Sequence, residues 1–365
     1  MTANYAKEIR ALKRSGRFRE RKLFDEHLID LASNDYLGLA EKKKQFKKAV
    51  KLVEHYGTFS PKASMLVNGY HPIHQRFEEE MAALNGFEKG LTVGSGFLAN
   101  LSLIEALVRK GDRLYMDEEY HASGVMATQM LGERVVFFRH NDTDDLRKKM
   151  KQYGGKRRII AVEGVYSMSG KLCDQAIFDL AAEEEALLIV DEAHSSGVLG
   201  EHLLGIFEHY GITIGPNHIK MGTLGKAYGS YGAYILASEE IISFLENRAK
   251  PVIYSTAPSV FDTALALVNM EHIAKNAEKY RHRIVERQKL VESIIERELH
   301  SLIVPIKYPG NSDVIRQQKI LTEEGFLVGA IRQPTVKEPI IRLIPRVAVS
   351  RKSLRNVLKI LEVSL

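Results

Sequence analysis

The chain has 365 residues, of which 45% are hydrophobic and 27% are charged, and its formal net charge is +6. These values are ordinary for a globular protein, and the length predicts two or three domains. The single cysteine, Cys173, excludes an intramolecular disulfide and a cysteine-based zinc site, as expected in the reducing cytoplasm. No apolar run is long enough to predict a signal peptide or a membrane span.

The whole charge surplus falls in the first 60 residues, which hold fourteen lysines and arginines against eight acidic residues. The rest of the chain is balanced. A basic segment on a neutral body is compatible with nucleic acid, a membrane surface or an anionic ligand, and composition does not choose between them.

The N-terminal segment, residues 1–60, predicts a polar and basic helix, a short apolar strand at 28–32 and a second basic helix at about 42–55. The stretch GTFSPKASMLVNGYHP is rich in glycine, serine and proline and predicts an ordered loop. We expect this segment to pack on a dimer.

Residues 61–258 alternate between helical patterns and β-branched apolar runs, which predicts a large α/β domain with a mostly parallel, doubly wound sheet. Ligands of such sheets bind beyond the carboxyl ends of the strands. The predicted strands are GLTV, RLYMD, RVVFF, RIIAVEGV, ALLIVDEA, HIKMGT and GAYILAS.

Residues 259–365 predict a long helical region, at about 259–299, that leads into a small α+β domain. Its shorter strands are LIVPIKY, LVGAI and PIIRLIP, and helices are expected near 312–324 and 350–362. Ser350 is the expected N-cap of the last helix.

The stretch GSGFLAN follows one predicted strand and opens a helix. Gly94, Gly96 and Ala99 match a dinucleotide pattern, and Asp117 ends the next strand. Small residues at a helix N-terminus expose backbone N–H groups to an anion. The pattern leaves open a pyrophosphate, a single phosphate or a structural turn.

Two chemically active side chains follow buried strands of the same sheet. ALLIVDEAHSSG places Asp191 at the end of one strand with His194 three residues later, and GTLGKAYGSYG places Lys226 among glycines after another. A P-loop hydrolase is excluded because no G-x-x-x-x-G-K-[ST] occurs. A lysine for an aldehyde, a carboxylate for a ring nitrogen and a phosphate cradle together favour pyridoxal phosphate, with a dinucleotide oxidoreductase as the second interpretation.

His71 and His74, in HPIH, are spaced as metal ligands can be. A pair of surface histidines at a helix start is the preferred interpretation, so no metal site is predicted.

Several motifs in one order resemble those of the α-oxoamine synthases, fold-type I pyridoxal phosphate enzymes, from about residue 28 to the C-terminus. Members condense a small amino acid with an acyl thioester and release CO2, and the likeness is greatest to those that join alanine to a pimeloyl thioester. One departure is SPKASMLVNG, where many members carry a glycine-rich loop. The matching motifs are SNDYLGL, GSGFLAN, EYHAS, EGVYSMSG, DEAHSSGVLG, TLGKAYG and IYSTAPS.

The resemblance implies roles around the cofactor ring. Lys226 would form a Schiff base with pyridoxal phosphate and then remove the substrate α-proton. Asp191 would pair with the ring nitrogen, His194 would hydrogen-bond the ring hydroxyl, and His121 would stack on the ring face. A histidine that caps a helix is the alternative interpretation of His121.

The resemblance also implies a phosphate site shared between subunits. Gly96 and Phe97 would offer backbone N–H groups and Thr223 a hydroxyl, although Thr223 could be an ordinary strand residue. Ser255 and Thr256 would reach the phosphate from the other subunit, which implies a homodimer.

On the substrate side, the resemblance places Ser167 near the cofactor and Glu163 near the reacting acyl group. Asn34 and Arg342 would hold the amino-acid carboxylate, with Arg346 as the alternative to Arg342. The acyl carrier is coenzyme A or an acyl carrier protein. We expect a cytoplasmic enzyme with no nucleic acid or membrane partner, whose basic first 60 residues attract the anionic carrier or form a solvated face.

Overall fold

The computed structural model describes residues 5–362, whose contacts group into two units. The larger comprises residues 35–167 and 171–284, and the smaller comprises residues 5–34, 168–170 and 285–362. These bounds differ from the predicted divisions at 60/61 and 258/259. The first strand pairs with a strand near residue 326, and the helix after Ser259 packs on helices that precede residue 86.

The elements follow the predicted order closely. Each of the seven strand segments predicted between residues 61 and 258 overlaps one strand of the structure. The strands are β1 Ile29–Asp30, β2 Lys89–Val93, β3 Arg113–Asp117, β4 Val135–Phe138, β5 Arg158–Glu163, β6 Leu187–Asp191, β7 His218–Thr223, β8 Ala233–Ala237, β9 Val304–Lys307, β10 Phe326–Leu327, β11 Gly329–Ile331 and β12 Ile340–Leu343.

The helical region predicted at about 259–299 is two helices, Val260–Lys275 and Ala277–Ile295, separated by Asn276. The helices are α1 Ala6–Arg14, α2 Lys43–Tyr56, α3 Pro72–Asn85, α4 Gly96–Leu107, α5 Ala122–Thr128, α6 Thr143–Tyr153, α7 Gln175–Glu183, α8 Ile206–His209, α9 Glu239–Arg248, α10 Lys250–Ile253, α11 Val260–Lys275, α12 Ala277–Ile295, α13 Asn311–Glu323 and α14 Arg351–Glu362.

The larger unit is built on a seven-stranded sheet in the order β2-β8-β7-β6-β5-β3-β4. Its strands are parallel except β8, which is antiparallel to both β2 and β7. This confirms the predicted, mostly parallel α/β sheet. Strands β5, β6 and β8 are apolar almost throughout because both of their faces are buried.

The smaller unit contains a three-stranded antiparallel sheet, β11-β12-β9, and the parallel pair β1-β10. Leu31, Val304, Ile341 and Leu358 are among the residues of its apolar core. The side chain of Ser350 accepts the N–H of Ser353, as predicted for the start of α14. Within residues 5–362, no helix has the length and apolarity needed to cross a bilayer.

His71 and His74 start helix α3, as predicted, but they are buried rather than on the surface. Each histidine accepts a backbone N–H from the helix start, which forms a reciprocal cap. His74 also contacts the carbonyl of Pro258 at 3.0 Å. Burial lowers the pKa of His74 to about 4, so the neutral ring is the structural form. No group of metal-ligand side chains occurs among the described residues.

Strand β7, which leads towards Lys226, is anchored from inside the core by Lys220. Its ammonium group donates to Asn85 Oδ1 at 2.7 Å and to the carbonyl of Leu204, and it lies 3.8 Å from Glu192 Oε1. Glu192 is also buried and accepts the Ser195 hydroxyl and the N–H of Ile206. The buried charges are therefore paired and hydrogen-bonded, as their cost in a core requires.

We expect Lys220→Met to lower the free energy of unfolding by about 3 kcal/mol, because it leaves the Glu192 charge buried without a cation. Urea unfolding measures the change. The matched control is Lys89→Met, which removes the exposed ion pair of Lys89 with Glu239 and should change stability little. Equal effects of the two substitutions would contradict the assigned role of Lys220.

Candidate active site

Three neighbouring parallel strands bring the predicted chemistry to one edge of the sheet. Glu163 ends β5, Asp191 ends β6, and the two are paired across the strands. Asp191 is paired in turn with Met221 of β7, five residues before Lys226. Glu163, Asp191 and Lys226 therefore lie at the carboxyl edge of the sheet, which is where ligands of such sheets bind.

Lys226 and His194 are in direct contact, since Lys226 Nζ lies 2.8 Å from His194 Nε2. The other ring nitrogen, Nδ1, lies 2.6 Å from the hydroxyl of Tyr36. A lysine ammonium can only donate, so with Lys226 charged His194 Nε2 accepts and Nδ1 donates to Tyr36. Tyr36 was not predicted as a site residue, although it lies in the motif SNDYLGL and carries a polar hydroxyl.

The glycines around Lys226 allow backbone segments to approach closely, as the sequence predicts. Gly229 has φ of 56°, and a Cβ there would lie 2.7 Å from the backbone nitrogen of Ala40. A Cβ on Gly197, whose φ is 80°, would lie 2.3 Å from the Cβ of Ala227. These positions require glycine, so the turn that carries Lys226 is fixed by its surroundings.

Asp191 is held by donors from two elements. Asn100 donates to its Oδ2 at 2.9 Å, and the N–H of Ala193 donates to its Oδ1 at 3.0 Å. Asn100 also donates to Ser123 Oγ and accepts the hydroxyl of Tyr120 at 2.7 Å. Asn100 and Tyr120 stand in the motifs GSGFLAN and EYHAS, but sequence reasoning did not assign them to the site.

Glu163 is almost fully buried beside Asp191. Burial raises the pKa of Glu163 well above its usual range, the Asp191 carboxylate raises it further, and the Lys226 ammonium opposes the rise. Its Oε2 accepts the N–H of Ser167 at 3.0 Å, whereas its buried Oε1 has no hydrogen-bond partner among the described residues. The environment therefore favours a neutral carboxyl group with one oxygen available to a ligand.

His121 is the N-cap of helix α5, as expected from the alternative interpretation that this histidine caps a helix. Its Nδ1 accepts the N–H of Ser123 at 3.2 Å and lies 2.7 Å from the Ser123 hydroxyl. Partial burial of the ring lowers the pKa of His121, the Asp191 carboxylate raises it and the Lys226 ammonium lowers it. His121 thus belongs to the same electrostatic group as the predicted catalytic residues.

The predicted phosphate residues lie at the start of helix α4 and the end of β7. Gly96 and Phe97 open the helix, and Ser95 caps it by accepting the N–H of Leu98. A Cβ placed on Gly96 would lie 3.9 Å from the Cβ of Thr223, so the helix start and this hydroxyl are adjacent. The Thr223 hydroxyl donates to the carbonyl of Gly232 at 3.0 Å and accepts the N–H of Gly225 at 3.3 Å, so it must rotate to donate to a phosphate oxygen.

Ser255 and Thr256 lie in the segment between α10 and α11, and the side chain of Thr256 is exposed. This segment is tied to the loop that departs from the family pattern, because the N–H of Ala257 donates to the carbonyl of Ala63 at 3.0 Å. The departing loop forms a short π-helical turn, Met65–Gly69. Within the larger unit, the two segments form one loop pair.

The smaller unit brings Asn34 and Arg342 together, since Arg342 Nη1 donates to Asn34 Oδ1 at 2.9 Å. Arg342 is 5% exposed, so it is not a surface arginine. Arg346, its alternative, forms an ion pair with Asp30 Oδ2 at 2.5 Å. The Arg346 guanidinium is therefore already paired with the Asp30 carboxylate.

Comparisons with known proteins extend over nearly the whole chain. The sequence pattern described as aminotransferase class I and II matches residues 26–361. A protein named 8-amino-7-oxononanoate synthase from Helicobacter pylori is 44% identical over 341 residues, which cover 93% of this chain and 91% of the relative. A protein of the same name from Geotalea daltonii is 35% identical over 355 residues, which cover 91% of this chain and 89% of the relative.

Solved structures give the same fold. The crystal structure of 8-amino-7-oxononanoate synthase from Francisella tularensis has a TM-score of 0.78 at 27% identity, and covers 93% of this chain and 98% of its own. A serine palmitoyltransferase from Sphingomonas wittichii has a TM-score of 0.86 at 23% identity, with coverage of 92% and 87%, and shows the fold alone. The predicted fold class is confirmed.

The dependence of stability on pH tests the burial of Glu163. The carboxyl group has a pKa of about 4.3 in the unfolded chain, and folding raises it. Above that pH the unfolded chain releases a proton that the folded protein keeps, so stability falls as the pH rises through the folded pKa. Glu163→Gln removes this effect. We expect urea unfolding to show that the stability of the variant relative to wild type increases steadily from acid to neutral pH.

The matched control is Glu240→Gln, which removes an exposed carboxylate at the start of α9. A constant difference between Glu163→Gln and wild type over the same pH range would contradict the raised pKa of Glu163.

Proposed function

The chain belongs to the aminotransferase class I and II family of pyridoxal phosphate enzymes, and from that premise we propose that it condenses L-alanine with a pimeloyl thioester, with loss of CO2, to give 8-amino-7-oxononanoate for biotin synthesis. The observation that carries the proposal is the 44% identity to a relative of that name, over more than nine tenths of both chains. Family membership confirms the predicted cofactor, and it removes the dinucleotide oxidoreductase interpretation of GSGFLAN.

The residues present fit pyridoxal phosphate. Bound there, the cofactor supplies an aldehyde that reacts with the substrate amino group and a ring that accepts electrons released at the α-carbon. Each oxygen of Asp191 accepts one protein N–H, which leaves lone pairs for a protonated ring nitrogen. The N–H groups of Gly96 and Phe97, with the Thr223 hydroxyl, would hold the phosphate at the helix start.

Lys226 is the base that we assign to the substrate α-proton. His194 contacts Lys226 Nζ at 2.8 Å and is fixed on its other side by Tyr36, so it can orient this amine and bond the ring hydroxyl of the cofactor. His121 would cover one face of the ring from the start of α5.

The remaining residues would bind the two substrates. Asn34 and Arg342 are already joined by a hydrogen bond and offer further N–H groups to the amino-acid carboxylate. Glu163, kept neutral by burial, would donate a hydrogen bond to the acyl oxygen from its unpartnered Oε1, with Ser167 holding its other oxygen. A neutral acid in that place stabilises negative charge as it develops on the acyl oxygen.

We further propose that the enzyme works in the cytoplasm as a homodimer, with the amino acid and the acyl thioester as its substrates and without nucleic acid. Ser255 and Thr256 would complete the phosphate site of the partner subunit. Thr256 is exposed and Ser255 is partly buried in a loop of the larger unit, which is compatible with a contact made by another chain.

Replacing the proposed base tests the mechanism. We expect Lys226→Ala to lose the visible absorbance of lysine-bound pyridoxal phosphate and to lower turnover by at least about a hundredfold, the usual contribution of a positioned base. Spectroscopy of the purified protein and a thiol-release assay measure the two effects. Lys89→Ala, at an exposed lysine of β2, should change neither. Retention of the absorbance band and of turnover in Lys226→Ala would refute the assignment.

A substrate panel tests the reaction. We expect kcat/KM for alanine with a pimeloyl thioester to exceed that for glycine with an acetyl thioester by more than about tenfold, because a pocket built for a longer chain gains binding from each methylene. Mass spectrometry should identify 8-amino-7-oxononanoate and released CO2. The opposite order would identify a glycine acyltransferase, the sister activity.

A further inference from the structure

Helix α2 carries a set of lysines that the proposed chemistry does not use. Five of its fourteen residues are lysines, and Lys42 precedes them at the N-cap. At 3.6 residues per turn, the five fall within an arc of about 140° that extends about 12 Å along the helix axis. The six lysines are exposed, and no ion pair within residues 5–362 involves them. We call them the lysine face: Lys42, Lys43, Lys44, Lys47, Lys48 and Lys51.

The opposite side of α2 is apolar and packs on helix α11. Ala49 and Val53 are buried in a cluster that includes Ile73 and Val260. The lysine face is therefore held outward by the packing of the buried side, and α2 cannot rotate to hide it.

The positions of these lysines are unfavourable for the stability of helix α2. Helix α2 has no acidic residue in its first turn and no side-chain cap, while Lys43 and Lys44 stand at the positive end of its dipole. Lysines of this face also act on a neighbouring helix. Burial lowers the pKa of His272 on α11, and the charges of Lys48, Lys42 and Lys44 lower it further. A concentration of like charge that weakens its own helix is typical of a surface kept for binding.

A short, tightly held segment connects the lysine face to the candidate active site. Tyr36 contacts His194, and six residues later the chain reaches Lys42, a separation of at most about 22 Å. Asp35 holds this segment by accepting the N–H groups of Leu39 and Ala40. A macromolecule docked on α2 would thus stand within reach of Lys226 for a flexible acyl arm.

From this geometry we propose that the lysine face of α2 is the surface of this enzyme on which an acidic acyl carrier protein docks. The inference rests on the proposed function for its thioester chemistry. The five ammonium groups within this arc, with that of Lys42 at the N-terminal end, match a row of carboxylates on a partner helix, which steers association and sets register. A few phosphates of a small ligand call instead for donors that converge in a pocket.

Nucleic acid is a poorer occupant of the same surface. Single strands bind where basic side chains alternate with exposed aromatic rings that stack on bases. On α2 the nearest aromatic side chain, Phe46, lies outside the lysine arc and packs edge-on against Phe261 at 5.3 Å.

Charge reversal tests the proposal on the full-length enzyme loaded with cofactor. The test variant is Lys44→Glu with Lys48→Glu, and the matched control is Lys148→Glu with Lys151→Glu, which makes the same charge change on exposed positions of α6. Each is assayed with a pimeloyl thioester of an acyl carrier protein and with pimeloyl-coenzyme A. Direct binding of the carrier protein without acyl group, and of a DNA duplex, is measured by titration at low and at high salt.

We expect the α2 variant alone to raise KM for the carrier-bound substrate by about tenfold or more and to weaken its salt dependence, while kcat and the coenzyme A kinetics stay at wild-type values. Unchanged carrier binding in the α2 variant, an equal loss with coenzyme A, or tighter binding of DNA than of carrier to wild type would overturn the proposal. If wild type binds the carrier through α2 but turns over neither thioester, the docking inference stands and the proposed function fails.

Discussion

The register of three parallel strands is the constraint on which the candidate site depends. Because Glu163 of β5, Asp191 of β6 and Met221 of β7 stand side by side, the side chains that follow them are delivered to one edge of the sheet. A slip of one residue in β6 would turn Asp191 to the other face. The register is in turn fixed by a buried layer, in which Lys220 ties β7 to Glu192 and to the end of α3 through Asn85.

The two acids at this edge differ because of their partners. Asp191 receives N–H donors on both oxygens, whereas Glu163 is buried beside it with one oxygen that has no hydrogen-bond partner among residues 5–362. Environments that separate two carboxyl groups in this way assign them different chemical tasks. The arrangement suits a reaction that needs a fixed negative charge at a ring nitrogen and a neutral donor close by.

The fold could be predicted from the sequence because buried parallel strands are continuous apolar runs and their ends carry the motifs. The pairing of β1 with β10 was not predictable, since each is two residues long and they are almost 300 positions apart. Asn100, Tyr120 and Tyr36 were missed for another reason. Each stands in a quoted motif, but its role is to hold a neighbour, and that role appears only when distant segments are brought together. The burial of His71 and His74 likewise depends on the segment around Pro258.

The proposed function requires Lys226, and no other lysine, to lie against the aldehyde of pyridoxal phosphate. The most direct measurement is reduction of the cofactor-loaded protein with borohydride, followed by digestion and mass spectrometry of the modified peptide. We expect one pyridoxyl-modified residue, Lys226, in the peptide that contains GTLGKAYG. Modification of Lys220, or of any lysine outside that turn, would contradict it.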